Sequence, residues 1–309
     1  MDAAKLLLKA RPTPAQLADR LRPVDGVWPD GIELYLAAAD LADQPTLDEI
    51  VDRLTGASTP PGFAWLIEGP VDSLDGHDFD VTRESAADRL VLERIAQIAE
   101  RIGAQAVNIH VIAPSTDLER LTVEWRAELL DRTVPFLRGF VELMQAAGTV
   151  PTVEHMPPVL RMRRNDFAFT PIGMASADFR YLVEWLPGLR VLVDTSHAGL
   201  YLHARTMPVD PKLAWSGALR RYLDRLPEEP DDLIGFMSVL PAVENAQVSN
   251  AAGLLGEGLA YADGEFDLDP VMRWLNSHVH HIVTETLETN NDDAVNMRAA
   301  LRGVRMALA

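Results

Sequence analysis

Short β-branched or apolar runs alternate with longer stretches of helical spacing from one end of this chain to the other, and that alternation is what most limits its fold. Strands separated by helices pair in parallel, so a chain built of such units forms a parallel sheet covered by helices. The predicted strands are 4–8, 31–36, 63–68, 107–111, 150–154, 191–194, 245–249 and 281–285. Helices are expected over 15–22, 47–54, 85–102, 123–147, 177–185 and 293–308, the first opened by Thr13 as N-cap and Pro14 in its first turn. Eight units in 309 residues match a single-domain (β/α)8 TIM barrel over residues 1–309 better than an open doubly wound sheet, and no G-x-G-x-x-G turn is present. About 50 residues separate Asp194 from Gln247, more than a strand crossover needs. Residues 198–243 are therefore expected to form an insertion after strand six: a lid, a dimer contact, or an extra surface helix with a solvated acidic turn.

Composition narrows the chemistry. With 48% hydrophobic residues the chain can bury an ordinary core. Against 46 Asp and Glu stand 28 Lys and Arg, a net charge of -18 that repels phosphate backbones and anionic lipids. Neither nucleic acid nor membrane is expected as a partner; a small molecule is, and a homodimer is compatible. The lack of cysteine removes thiolate nucleophiles, thiolate metal sites and disulfides, leaving oxygen and imidazole chemistry. No signal-peptide pattern opens the chain, so a cytoplasmic location is expected. The only lysines are Lys5, Lys9 and Lys212. The first-strand lysines stand far in sequence from the polar series below, so Schiff-base aldolase chemistry is not expected.

In such a barrel alternate strand residues point inward, and the site lies at the carboxyl ends of the strands. Glu33, Glu68, His110, Glu154, Asp194, Gln247 and Glu285 each lie within or close an apolar run. Any one of them alone reads as a cap or a rim charge. Together at one mouth they would repel one another by several kcal/mol unless protons held at raised pKa or a bound cation offset the charge. Glu154, Asp194 and Glu285 would supply hard oxygen donors and Gln247 a neutral carbonyl, a set suited to Mn²⁺ or Mg²⁺ and tolerant of Zn²⁺ or Co²⁺. Within Asp194-Thr195-Ser196-His197 the imidazole could turn back into the mouth.

These segments, Gly31-Ile32-Glu33-Leu34, Val107-Asn108-Ile109-His110, Thr152-Val153-Glu154-His155, Val193-Asp194-Thr195-Ser196-His197 and Val283-Thr284-Glu285, resemble the xylose-isomerase-like superfamily of sugar isomerases and epimerases. The resemblance runs in order across nearly the whole chain. It implies a divalent metal at the Glu, Asp-x-x-His and terminal Glu positions, with Glu154 and Glu285 as the acid–base pair, and proton transfer beside a carbonyl through an enediolate. Glu33, Glu68, His110, His155 and His197 would then bind substrate oxygens. One position departs: Gln247-Val248-Ser249-Asn250 stands where the family usually carries a histidine ligand. Gly256-Glu257-Gly258 resembles the turn before the family's last crossover helix; the Arg161-Met162-Arg163-Arg164 cluster reads first as a solvated loop pairing with the acidic surface, and is otherwise the best candidate for an anionic substrate group. Two further readings stay open: a metal-dependent dehydratase of a related polyol or keto acid, and, from Gln247 and the long insertion, a non-catalytic barrel that binds a small molecule. An apurinic-site endonuclease is disfavoured by the acidic surface and by Gln247.

Overall fold

A computed structural model of the chain describes residues 3–23, 26–117, 120–161 and 167–309. All eight expected strands form: β1 (Lys5–Ala10), β2 (Gly31–Tyr35), β3 (Ala64–Glu68), β4 (Ala106–His110), β5 (Val150–Glu154), β6 (Arg190–Asp194), β7 (Val243–Val248) and β8 (His281–Thr284). They pair in parallel and in sequence order, and β8 closes on β1 to complete a barrel. The (β/α)8 architecture is therefore present. One boundary differs with consequence: β1 runs to Ala10, two residues beyond the predicted end, so Lys9 lies inside the barrel wall.

Ten helices are described: α1 (Pro14–Arg20), α2 (Gln44–Thr55), α3 (Ala86–Ile102), α4 (Val123–Ala146), α5 (Ser176–Trp185), α6 (Thr195–Thr206), α7 (Ser216–Leu223), α8 (Leu233–Val239), α9 (Leu268–His278) and α10 (Val295–Leu308). Their starts follow local chemistry, with Thr13, Ser85 and Thr122 each accepting a hydrogen bond from a backbone N–H of the first turn. On α3, Val91, Leu92, Ile95, Ile98 and Ala99 form the buried stripe that seats the helix on the barrel.

Inside the barrel, side chains sort by height. Leu7, Ala64, Leu66, Ala106 and Val283 make an apolar plug of their own, and polar and charged side chains gather above it at the carboxyl ends. Two short antiparallel ribbons rise at that end, Val159–Arg161 with Phe167–Phe169 and Asn250–Ala252 with Gly256–Leu259. Met162, Arg163 and Arg164 lie outside the described residues.

Between β6 and β7, α6 starts at once from Asp194, and α7 and α8 follow. Tyr222 donates to the Pro171 carbonyl at 2.7 Å, and Trp215 meets Phe169 edge-on. The acidic turn is used rather than merely solvated: Asp232 caps α8, and Glu229 accepts the Ser176 backbone N–H at 2.6 Å. Among the described residues, no helix is long and apolar enough to cross a membrane.

Candidate active site

The alternation of strand residues carries Lys9, Glu33, Glu68, Asn108, His110, Glu154, Asp194 and Gln247 to the inner face, and Glu285 follows β8 directly. Register sets their heights: Lys9 lies opposite Glu33, His110 opposite Glu154, and Asp194 opposite Gln247. Of the predicted site residues, Glu33, Glu68, His110, Glu154, Asp194, His197, Gln247 and Glu285 thus come to one mouth. His155 does not. It follows Glu154 by one residue and so points outward, where it packs against Phe179, Tyr201 and Phe236 and hydrogen-bonds the Met174 carbonyl at 2.7 Å. Burial pushes its pKa down to about 3, and it has no access to a substrate. Only its backbone carbonyl serves the site, accepting from His197 Nδ1 at 2.8 Å.

Three residues that the sequence reading did not assign complete the mouth. Lys9, set aside there as too distant, makes ion pairs with both Glu68 and Glu285 and lies 4.0 Å from Glu33. Asn108 donates to Glu154 Oε2 at 2.5 Å. Glu257 comes from the Gly256–Leu259 ribbon, whose Gly258 N–H donates to Ser196 Oγ and whose Gly258 carbonyl accepts from Leu287; its carboxylate meets His197 Nε2 at 3.2 Å.

Acids and bases alternate around the opening. Glu285 is joined to Lys9, Lys9 to Glu68, Glu68 to His110 at 3.3 Å, His110 to Glu154 at 3.5 Å, Glu154 to His197 at 3.2 Å, and His197 to Glu257. Burial alone would lower the Lys9 pKa, but Glu285, Glu68 and Glu33 outweigh it and hold the ammonium well above its ordinary value. Burial likewise opposes the charged form of His110 and His197, yet Glu154 and Glu68 raise the first, and Asp194, Glu154 and Glu257 raise the second. Glu68 is pulled down to about 2, against its burial, by Lys9 and His110. Burial pushes Glu33 up to about 8 and Asp194 up to about 6, and raises Glu285 well above the usual carboxylate range in spite of Lys9. Three basic side chains and the raised pKa values of Glu33, Asp194 and Glu285 offset part of the charge of so many acids.

Among the described residues, ligand atoms close enough to hold a metal ion occur in three groups: Glu68, His110 and Glu154; Glu154, Asp194 and His197; and Glu33, Glu68 and Glu285. The second contains two of the expected metal donors and fits a hard divalent ion in donor type, although binding there would release the proton that His197 holds between Glu154 and Glu257. Gln247 and Glu285, the other two expected donors, are engaged elsewhere. Gln247 Nε2 donates to Glu33 and Glu68 at 2.6 and 2.7 Å, leaving its Oε1 buried without a partner, as is Glu285 Oε2.

Adjoining cavities of about 290 and 180 Å³ share Glu257 and Glu285; the first is also lined by Lys9, Asp194 and Ser249, the second by Glu68, His110, Glu154 and His197. Such a concave, polar mouth suits a small, oxygen-rich molecule.

No family model matches the chain, and no curated protein matches it. Solved structures do. A D-tagatose 3-epimerase-like protein superposes with TM-score 0.61 at 13% identity, covering 99% of this chain and 100% of its own. The 3-keto-D-glucoside 4-epimerase from E. coli gives TM-score 0.61 at 15% identity over 98% of this chain and 99% of its own. A xylose isomerase domain protein from Planctomyces limnophilus gives 0.58 at 12% identity over 98% and 97%. The chain shares the (β/α)8 barrel fold of these structures.

Proposed function

We propose that this chain is an isomerase or epimerase of a small sugar or another polyhydroxylated carbonyl compound, moving a proton beside the carbonyl through an enediolate. The observation that carries the reading is that Glu154 and Glu285, from non-adjacent strands, line one cavity together with His110, His197 and Glu257. Structures of similar fold that are named as D-tagatose 3-epimerase-like and 3-keto-D-glucoside 4-epimerase support it.

Glu154 is the base. Asn108 holds one of its oxygens and His197 approaches the other, so the carboxylate is fixed in direction. It removes the carbon-bound proton; the C–H electron pair becomes the carbon–carbon double bond, and the carbonyl π pair moves onto oxygen. Glu285, joined to Lys9 and with its pKa raised well above the usual carboxylate range, is the acid on the other side. Return of a proton to the opposite face of the same carbon gives epimerisation, and return to the adjacent carbon interconverts aldose and ketose. His110, His197 and Glu68 bind substrate oxygens, and Glu33, fully buried, supports them from behind. A divalent ion held by Glu154, Asp194 and His197, Mn²⁺ or Mg²⁺ by donor hardness with Zn²⁺ or Co²⁺ tolerated, would supply a Lewis acid for the substrate oxygens.

The test is incubation of the purified chain with a panel of ketoses and aldoses in deuterated water, followed by NMR. Deuterium should enter at carbon without loss of water, and Glu154→Gln and Glu285→Gln should each slow this by about 100-fold or more. An unsaturated product formed with loss of water would replace the reading with a dehydratase. Sugar binding without any exchange would replace it with a binding barrel.

A further inference from the structure

Lys9 and Glu285 belong to opposite ends of the chain, yet barrel closure sets them side by side, since Leu8 is in register with Thr284. Lys9 is 8% exposed, and its ammonium bridges Glu68 and Glu285 while lying 5.9 Å from the Tyr35 ring centroid. Its backbone is anchored too, the Lys9 carbonyl accepting from Arg20 Nε at 3.3 Å. Around it, Gln247 ties Glu33 to Glu68, so the carboxylates at this end already have protein partners. The ammonium nevertheless faces the larger cavity, with Asp194, Ser249 and Glu285.

We propose that Lys9 is a resident cation that takes the Glu285 end of this mouth in place of a divalent ion, and that its ammonium receives the substrate oxygen on which negative charge builds. The second half rests on the isomerase reading. In that step Glu154 takes the proton, the carbonyl π pair settles on oxygen, and the oxyanion is met by an ammonium that keeps all its protons. Lys9 forms no Schiff base; it is a fixed positive charge, which a flexible hydrated metal ligand set need not supply. Any divalent ion is left with Glu154, Asp194 and His197.

Chelator-dialysed full-length protein titrated with Mn²⁺ and followed by electron paramagnetic resonance tests this. Lys9→Met frees two carboxylates from their cation, so Mn²⁺ should bind at least tenfold more tightly than to the unaltered chain, whereas Lys9→Arg should bind it as the unaltered chain does. Equal affinity in the unaltered chain and Lys9→Met would overturn the proposal. Glu285→Gln gives an answer that does not depend on Lys9→Met folding: Mn²⁺ affinity should stay within twofold, and a tenfold weakening would show that Glu285 is a metal ligand and overturn it. On a sugar that undergoes exchange, Lys9→Met should lower kcat by 100-fold or more with KM little changed; an unaltered kcat would remove the oxyanion role. If no sugar undergoes exchange, the isomerase reading fails while the Mn²⁺ titrations still decide which cation holds Glu285.

Discussion

Arg20 offers the sharpest test of how the barrel is held shut around its mouth. It is 1% exposed, and its guanidinium donates to three backbone carbonyls: Lys9 at 3.3 Å, Asp292 at 2.7 Å and Asn291 at 2.7 Å. One side chain on α1 thus fastens the end of β1 to the segment that leaves β8. Asp19 beside it accepts the Ala294 N–H at 3.1 Å and pairs with Arg298 at 3.1 Å, so the same helix end grips the start of α10. Arg20→Met keeps most of the volume but leaves those carbonyls without a donor. Charge-assisted hydrogen bonds contribute about 1.5–3 kcal/mol each, and part of that is offset by no longer burying a guanidinium, so a net loss of about 2–4 kcal/mol is expected. Urea unfolding should show it as a lower midpoint with an unchanged slope. Arg20→Lys should recover only part, because an ammonium cannot match a planar fork aimed at three acceptors. Proteolysis should begin within 287–293 in Arg20→Met. A loss below about 1 kcal/mol, with that segment still resistant, would refute the view that Arg20 closes the barrel, on the same scale of hydrogen-bond energies.

Three further outcomes follow from particular groups. Glu33 has its pKa raised by burial from an ordinary 4.5 to about 8, so the fold loses stability as pH rises from about 4.5 to 8. Glu33→Gln, which still accepts from Gln247, should flatten that fall and raise Tm at pH 7.5, where an unchanged Tm would count against it. His281, pushed down by burial to about 4, works in the opposite window: stability should fall as pH drops from about 6.5 to 4, by up to about 3 kcal/mol, and His281→Gln should remove that dependence in denaturant titrations at several pH values. Gly173 has φ +80°, and an added Cβ would lie 2.2 Å from the Val111 carbonyl oxygen, so Gly173→Ala should cost about 2–4 kcal/mol, read as a lower urea midpoint.

Most of the barrel was legible because strand and helix periods differ so clearly. Glu33, Glu68, His110, Glu154 and Asp194 could be picked out as polar residues closing apolar strands, a pattern that leaves them one direction in which to point. The failures have equally local causes. Lys9 was set aside because distance along the chain stood in for distance in space, and ring closure makes that substitution worst for the first and last strands. Ending β1 at Leu8 hid the alternation Leu7, Lys9 that would have turned the lysine inward. His155 was admitted with its neighbour although adjacent strand residues face opposite ways. Glu257 carries no strand signal at all, since it reaches His197 from a ribbon whose turn residues read only as a connection. Gln247 was seen as a weaker metal donor, but its amide has two ends, and residue type alone does not say which one meets Glu33 and Glu68.

The stopper of Leu7, Leu66 and Val283 beneath the charged ring gives the mouth a dry floor. Water is barred from below by that layer, so a guest in the upper chamber covers the protons held around it and slows their exchange with bulk solvent. A proton lifted from one carbon can then be handed back before the solution replaces it, and the isotope content of the product becomes a clock for how long the door stays blocked.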